Sequence, residues 1–194
     1  MIEKLSSRWV DIQIGNGSIQ EDDKELYRYG YQLLIGRAIS VIIAQIMAGI
    51  LGVFMETLVF MIVFIAVRQY AGGYHLKSTD KCIFFSTLLL VGAGVLSQYI
   101  ALFSKNILFV LWTIAIIVIL ILAPVENDNK PLDESEKKVY RKRTYVVLFL
   151  EIIAAYSVSF TTWEWITSII ILAQIIVAIN LMIGSLSIKN FFYR

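Results

Sequence analysis

The chain has 194 residues, of which 58% are hydrophobic and 16% are charged, and its formal net charge is +2. Soluble domains contain about 45–50% apolar and about 25% charged residues, so this composition excludes an ordinary soluble domain and favours a bilayer as the solvent. The small net charge gives no electrostatic reason to expect nucleic acid as a partner. One cysteine, Cys82, and one histidine, His75, exclude an intramolecular disulfide and offer too few ligands for a Cys/His zinc site, so we expect no metal and no cofactor.

The N-terminal region, residues 1–31, predicts a helix that lies on the inner membrane surface. Its apolar residues recur at three- and four-residue spacing, as on one face of a helix, and basic residues accompany them: Ile2, Leu5, Trp9 and Ile12, with Lys4 and Arg8. A glycine-containing break follows at 15–17. Ser18 with Glu21 then has the capping-box pattern, which predicts that the next helix begins near Ile19.

Six apolar segments follow, and they define the predicted fold. They cover residues 33–53, 54–67, 83–103, 107–123, 145–160 and 165–186. A membrane-spanning helix needs about 20 apolar residues. The segments 54–67 and 145–160 are shorter, so each predicts either a span or a partly inserted helix. We therefore predict an all-α fold: a polytopic integral membrane bundle of about six transmembrane or partly inserted helices, forming one domain over residues 1–194.

The positions of the basic residues predict the orientation of this bundle. With the N-terminus in the cytoplasm, the inside regions are 1–32, 68–82, 124–144 and 187–194. They hold all of the 17 lysines and arginines except Arg37, which lies within a span, and Lys105, which lies outside. Because basic loops remain on the cytoplasmic side, we expect a multi-pass protein of the cell membrane with the basic loops inside.

Seven polar residues fall in or near the spans: Arg37, Gln45, Glu56, Gln98, Glu151, Gln174 and Asn180. Polar groups at membrane depth are costly, so they usually face the bundle interior or a wet cavity. Each of them either carries function or fixes packing through snorkelling or an interhelical hydrogen bond. Arg37 and Glu151 are candidates for a mutual ion pair.

The segment 68–82, between the second and third apolar segments, holds both the histidine and the cysteine. A cysteine nucleophile needs its thiolate form and a nearby base. Helix-start residues at 78–80 place Cys82 in or near the first turn of the third span, where the positive helix end and Lys81 favour a thiolate. His75 is the natural base. The alternative is that both residues are structural, a small apolar cysteine and an exposed loop histidine.

Spacing puts a condition on this dyad. Along an unbroken helix, His75 and Cys82 would lie about 10 Å apart, which is too far for proton transfer. The chain must therefore bend between them, and Gly72 and Gly73, together with the helix start that follows, permit such a bend. A straight helix through 68–90 would exclude the dyad.

At this segment the sequence resembles the AgrB-like peptidases of Gram-positive quorum sensing. The first motif runs Arg68-Gln-Tyr-Ala-Gly-Gly-Tyr-His75, with Cys82 seven residues further on. The second runs Ala123-Pro-Val-Glu-Asn127 and continues as Asn129-Lys-Pro-Leu132, and Tyr29-Gly30 before the first span also fits. The resemblance covers essentially the whole chain in length, span layout and motif order.

The resemblance implies a function and a site. AgrB-like proteins are cysteine endopeptidases of the bacterial membrane, and they cut the C-terminal tail from a short AgrD-type precursor. That precursor has an amphipathic leader, a central signal sequence with a cysteine, and an acidic tail. The family's catalytic residues carry over to His75 and Cys82, and its motif arginine and glycine carry over to Arg68 and Gly73 as supporting residues. Asp80 is a guess for a third, orienting member.

The basic run at 137–143 has two compatible interpretations. It is a topology signal that contacts anionic lipid, or it binds the acidic precursor tail through Lys137, Lys138, Arg141, Lys142 and Arg143. The expected partners are thus the precursor peptide and the bilayer. Small residues at 48–52 and 92–94 permit close helix contact, from which we also expect a homodimer.

Two other functions stay open. A peptide transporter or exporter without proteolytic activity is supported by the polar residues in the spans, although no paired broken spans are visible. Its transport would survive Cys82→Ser, whereas proteolysis would not. A membrane scaffold without chemistry would tolerate substitution of both His75 and Cys82.

Overall fold

Helices form almost all of the described chain. The computed structural model describes residues 2–74, 79–100, 103–126 and 132–192. In chain order its elements are α1 (Ile2–Gly15), a 3₁₀ turn (Glu21–Asp23), α2 (Lys24–Ile50), α3 (Phe54–Ala71), α4 (Thr79–Ile100), α5 (Lys105–Leu122), α6 (Glu134–Val158) and α7 (Glu164–Phe192). No strand occurs within these ranges, so the predicted all-α class is confirmed.

Five helices are long and apolar enough to cross a membrane: Glu21–Ile50, Phe54–Ala71, Asp80–Ile100, Lys105–Leu122 and Glu164–Leu186. Their outward faces are apolar; Ile50, for example, is 80% exposed and Ile121 is 71% exposed. Such surfaces are unfavourable in water and suited to lipid. The predicted polytopic bundle is therefore confirmed, and the short segment 54–67 belongs to a helix of spanning length.

Helix α6 differs from the other spans. The segment predicted at 145–160 is the second half of a 25-residue helix whose first half carries the basic run. The apolar part after Arg143 is about 22 Å long at 1.5 Å per residue, whereas the hydrocarbon core is about 30 Å thick. This length favours the partly inserted alternative. At the start of α6 the amide of Glu136 donates a hydrogen bond to Asp133, at 2.7 Å, and this bond lowers the pKa of the Asp133 carboxyl.

The predicted N-terminal helix is confirmed as α1, and it is attached to α2. Val10 is fully buried on the side of α1 that packs against α2. Lys24 of α2 pairs with Asp11 of α1 at 3.0 Å, and the rings of Trp9 and Tyr31 lie 5.7 Å apart, edge to face. The face with Leu5, Trp9 and Ile12 is exposed. Contact of this face with lipid headgroups stays a prediction.

The predicted capping box at Ser18 is wrong. The next helical turn begins at Glu21, without a side-chain cap, and α2 begins at Lys24. The backbone of Ser18 instead closes the end of α1, because its amide donates to the Gln13 carbonyl at 2.9 Å and the Gly17 amide donates to Ile14. This pair of bonds is the Schellman arrangement of a helix C-terminus.

The loops predicted on the cytoplasmic side share one end of the bundle. Val125, after α5, pairs with Gly73, after α3. Arg141 of α6 donates a hydrogen bond to the Ala123 carbonyl at 3.3 Å. At the other end, Lys105 at the start of α5 faces Glu164 at the start of α7, at 3.6 Å. The grouping expected from the charges is therefore present in the fold.

Helix α7 lies at the centre and contributes to both apolar clusters of the core. Near the end with the basic loops, Val177 and Leu181 of α7 pack with residues of α3, α5 and α6. In the other half, Ile169 and Ala173 pack with residues of α2, α3 and α4. Because α7 packs on α3, α4, α5 and α6, its polar residues can reach several elements.

The predicted ion pair between Arg37 and Glu151 is wrong. Gln174 of α7 donates a hydrogen bond to Glu151 of α6 at 3.0 Å, and Gln174 accepts one from the indole of Trp112 on α5. Arg37 is exposed on α2, whereas α6 packs mainly on α3 and α7. The ion pair does not form because α2 and α6 are not neighbours, and Glu151 instead accepts a hydrogen bond from the amide of Gln174.

Candidate active site

The two motif segments meet at the end of α3. The Val125 amide donates to the Ala71 carbonyl at 2.8 Å, and the Gly73 amide donates to the Val125 carbonyl at 3.2 Å. Gly72 and Gly73 have φ angles of 74° and 119°, which L side chains rarely adopt. A Cβ at Gly72 would also overlap the Val125 carbonyl oxygen. Both glycines are therefore required for the backbone to leave α3 and reach Val125.

This geometry excludes the straight helix through 68–90 that would have ruled out the dyad. The chain does not continue as one helix from α3 into α4, because α3 ends at Ala71 and α4 begins at Thr79. His75 lies outside the described residues. The bend between His75 and Cys82, and the return of His75 toward Cys82, therefore stay predictions.

Arg68 fastens the residues between the glycines and His75. Its guanidinium donates to the Gly72 carbonyl through Nη1 and to the Tyr74 carbonyl through Nη2, the latter at 2.7 Å. The Tyr74 carbonyl belongs to the peptide group that precedes His75. Cys82 and Arg37 both lie within electrostatic reach of this guanidinium. Arg68 therefore acts directly on the loop backbone.

Helix α7 is the third element that contacts residues 72–74, after α3 and the connection between α5 and α6. Asn180 accepts a hydrogen bond from the Tyr74 amide at 3.1 Å. One turn further along α7, Gly184 lies so close that a Cβ there would be 2.8 Å from the Tyr74 nitrogen. A Cβ at Gly73 would collide with the Asn180 side-chain oxygen. Residues 72–74 are thus held by α3, by the α5–α6 connection and by α7.

Cys82 occupies the position predicted for it, in the first turn of α4. It is half-buried, and its Sγ lies 4.0 Å from the Ser86 hydroxyl. Asp80 lines an apolar groove between α2 and α4. Two residues apart on a helix, side chains point in nearly opposite directions, so an orienting role for Asp80 stays a prediction.

Three of the five basic residues proposed to bind the tail have partners within the chain. Lys137 pairs with Glu126 at 2.7 Å and with Glu134 at 3.0 Å, and these carboxylates raise the pKa of Lys137. Arg141 binds the Ala123 carbonyl. The Arg143 guanidinium carbon lies 5.6 Å from the centre of the Tyr70 ring, in a cation–π contact.

The two remaining basic residues, Lys138 and Lys142, are exposed and make no ion pair or hydrogen bond with the described part of the chain. They are the basic groups of α6 that remain available for another molecule. Within the described residues there is also no group of three His, Cys, Asp or Glu side chains that could hold a metal ion.

Comparison with known proteins places this arrangement in a family. The family model described as "Accessory gene regulator B" matches residues 6–182, nearly the whole chain. The chain belongs to the AgrB family. This membership ties it to the accessory gene regulator system of bacterial quorum sensing, and the five apolar helices agree with a multi-pass protein of a bacterial membrane.

Individual AgrB relatives agree with the family model. The chain is 25% identical to "Putative AgrB-like protein 2" of Clostridium perfringens (strain 13 / Type A), covering 79% of this chain and 77% of the relative. It is 29% identical to a "Putative AgrB-like protein" of Listeria innocua, with 77% and 75% covered. It is also 29% identical to "Accessory gene regulator protein B" of Staphylococcus aureus (strain Newman), with 62% of each chain covered. No solved structure matches the chain.

Some residues of this AgrB-family site were not identified as site residues from the sequence. Val125 was seen only as part of a motif, and Asn180 only as a polar residue in a span. Asn180 and Gly184 are four residues apart, so they share one face of α7. An amide and a glycine on one helix face can mark a close contact with another backbone. They do not reveal that the partner is Tyr74, which is 106 residues away in the chain.

Proposed function

We propose that this protein is a membrane cysteine endopeptidase that cleaves the acidic C-terminal tail from an AgrD-type precursor. In this proposal Cys82 is the nucleophile and His75 is the general base. The observation that carries it is the three-sided attachment of residues 72–74 directly before His75, on a chain that then begins a helix with Cys82 in its first turn.

The proposed reaction begins with proton transfer from Cys82 to His75. The thiolate attacks the carbonyl carbon at the cleavage site, and the C–N bond breaks as the tail leaves with a proton from the imidazolium. The signal half then remains on Cys82 as a thioester. A cysteine thiol within the precursor attacks this thioester, which closes a thiolactone ring and frees Cys82.

Arg68 has two tasks in this mechanism. It fixes the peptide group before His75, through the Tyr74 carbonyl, and it places a positive charge within electrostatic reach of Cys82. These contacts support the assignment of Arg68 as a supporting residue, and the space that Gly73 leaves beside the Arg68 guanidinium supports the assignment of Gly73.

Exclusion of water is necessary because exchange between two thioesters is nearly balanced in energy, whereas hydrolysis is downhill. The position of Cys82 favours such exclusion. The carbonyl of its neighbour Ile83 lies 3.5 Å from the Ser40 hydroxyl of α2, and Ser40 is about 10 Å along α2 from the start of the apolar segment at residue 33. In this proposal, that position beside the apolar part of α2 limits the access of water to the thioester.

The test of this proposal is detection of the acyl-enzyme. The purified protein is reconstituted in liposomes with a precursor that has an amphipathic leader, one internal cysteine and an acidic tail. Mass spectrometry then measures released tail and peptide attached to Cys82. We expect an adduct that hydroxylamine removes, because hydroxylamine cleaves thioesters, and that is absent from Cys82→Ser.

The matched control is Ser86→Ala, which removes the hydroxyl near Cys82 but no proposed reactive group. It should retain both tail release and the adduct. Tail release that persists in Cys82→Ser would contradict the peptidase assignment. Transport of the precursor without cleavage by folded wild-type protein would instead support the exporter.

A further inference from the structure

Asn180 is the side chain of α7 that reaches the segment before His75. Its Oδ1 atom accepts a hydrogen bond from the Tyr74 amide at 3.1 Å. Arg68 donates a hydrogen bond to the carbonyl of the same residue, Tyr74, at 2.7 Å. Both backbone polar groups of Tyr74 are thus bound by side chains, one from α3 and one from α7.

The surroundings of Asn180 are fitted to this contact. Gly73 has no side chain at the point where a Cβ would collide with the Asn180 oxygen, and Gly184 leaves room for the Tyr74 backbone to approach α7. The helix does not need Asn180 for its packing, because its core contacts are made by apolar residues such as Val177 and Leu181. The hydrogen bond to Tyr74 is therefore its specific contribution.

Loss of this bond would release one of the two peptide groups that lead into His75. The Asn180 bond fixes the peptide between Gly73 and Tyr74, and the Arg68 bond fixes the next one. In the proposed dyad, a peptide group free to rotate would let His75 move out of hydrogen-bonding reach of Cys82. Displacements of about 1 Å in a reacting pair reduce rates by about 100-fold.

We propose that Asn180 is a positioning residue that holds His75 in reach of Cys82. This inference rests on the proposed peptidase dyad, and Asn180 acts through the Tyr74 backbone without touching the substrate. Its oxygen atom, as a hydrogen-bond acceptor, is the feature that matters. A carboxylate at this position would supply the same acceptor, beside the guanidinium of Arg68.

The experiment uses full-length protein in liposomes and measures two quantities. The first is the rate of Cys82 alkylation by iodoacetamide as a function of pH, which reports the pairing of Cys82 with His75 whether or not the protein cleaves anything. The second is kcat and KM for release of the precursor tail. Asn180→Leu removes the acceptor at similar volume, and Asn180→Asp retains it.

Two further variants calibrate these measurements. His75→Ala gives the alkylation profile of a cysteine without its base. Gln98→Leu is the matched control, because it also replaces an amide within a span by leucine. Gln98 is exposed, and it lies about 24 Å along α4 from Cys82.

The expected result is an alkylation profile of Asn180→Leu that shifts toward that of His75→Ala. We also expect kcat to fall by about 10- to 100-fold with KM within about twofold, since ground-state binding is untouched. Asn180→Asp should restore kcat to within about threefold of wild type, and Gln98→Leu should match wild type.

Other outcomes overturn the inference or separate it from the peptidase proposal. A wild-type profile in Asn180→Leu overturns it, and so does a wild-type profile in His75→Ala, because there would be no pair to position. A defect that Asn180→Asp does not restore assigns Asn180 to packing and also overturns it. If alkylation responds to both substitutions while wild-type protein releases no tail, the positioning role stands and the peptidase proposal fails.

Discussion

Single residues carry most of the constraint at the end of α3. Gly72 can form its contact with Val125 because it lacks a Cβ, and its φ of 74° is accessible to glycine. Other glycines of the chain have no such constraint. Gly92, for instance, is exposed within α4, and a Cβ added there would meet nothing within 4 Å. The two positions therefore form a matched pair for substitution.

We expect Gly72→Ala to reduce tail release by at least about tenfold, because its backbone region is essentially restricted to glycine and costs another residue about 1–3 kcal/mol, and because the new Cβ would displace Val125. Gly92→Ala should be neutral or stabilising, since alanine is favoured over glycine in a helix by about 1 kcal/mol. Tail release and thermal unfolding in detergent measure both. Equal activity of the two variants would contradict the proposed constraint at Gly72.

At the scale of elements, the basic residues in the first half of α6 contact the loops that form the site. Lys137, Arg141 and Arg143 are occupied by Glu126, the Ala123 carbonyl and the Tyr70 ring. These contacts fix α6 against the two motif segments. The proposed tail-binding role of α6 therefore falls mainly to Lys138 and Lys142.

We expect the double substitution Lys138→Glu and Lys142→Glu to raise KM about fivefold or more for a precursor with its acidic tail, and much less for one with a neutral tail. The reason is loss of charge complementarity at an exposed surface, which also makes the effect weaker at high salt. Lys105→Glu, at the other end of the bundle, is the control. Equal changes in KM for both tails would assign this pair to topology or lipid binding alone.

The elements also show which features a sequence can predict. Apolar runs of about 20 residues predicted the spanning helices because backbone hydrogen bonds must close within each segment in lipid. The glycine pair and the cap-like residues correctly predicted the break after Ala71 and the place of Cys82 on α4. These features are local, so neighbouring residues suffice to specify them.

The sequence could not predict the pairing of distant elements. The contacts of Val125 with Gly73 and of Asn180 with Tyr74 join segments that lie far apart in the chain, and no periodic pattern marks them. The expected ion pair of Arg37 failed for the same reason, because charge alone does not state which helices are neighbours. The predicted Ser18 cap was wrong because the backbone of Ser18 ends α1 and its side chain does not begin the next helix.

At the scale of the whole molecule, the fold separates the same two groups of loops that the charge pattern predicts for opposite ends of the bundle. The loops with basic residues lie together with the site, and Lys105 and Glu164 mark the opposite end. Some small residues in the spans are used inside the chain, such as Gly94, which packs on Thr57, whereas Gly92 faces outward. The expected homodimer would have to use such outward positions, and it stays a prediction.

The prediction that the active site lies on the cytoplasmic side is testable, because the chain has a single native cysteine. In a Cys82→Ser background, we expect a cysteine at Lys105 to react with a membrane-impermeant maleimide on intact cells, and a cysteine at Lys138 to react only after permeabilisation. The physical reason is the retention of basic loops inside. Both side chains are exposed, so an unlabelled position reports its side of the membrane and not burial.

One pair of labels decides the side of the whole site because the elements are tied together. Lys138 lies on α6, Arg141 of α6 binds the Ala123 carbonyl, and Val125 binds the backbone on either side of Gly72. A cysteine at Lys138 therefore marks the end of the bundle that carries the Cys82 segment. The reverse labelling would place that segment outside, where the precursor would have to cross the membrane before cleavage and export would come first. Labelling of both positions on intact cells would indicate mixed orientation, and it would contradict the charge argument directly.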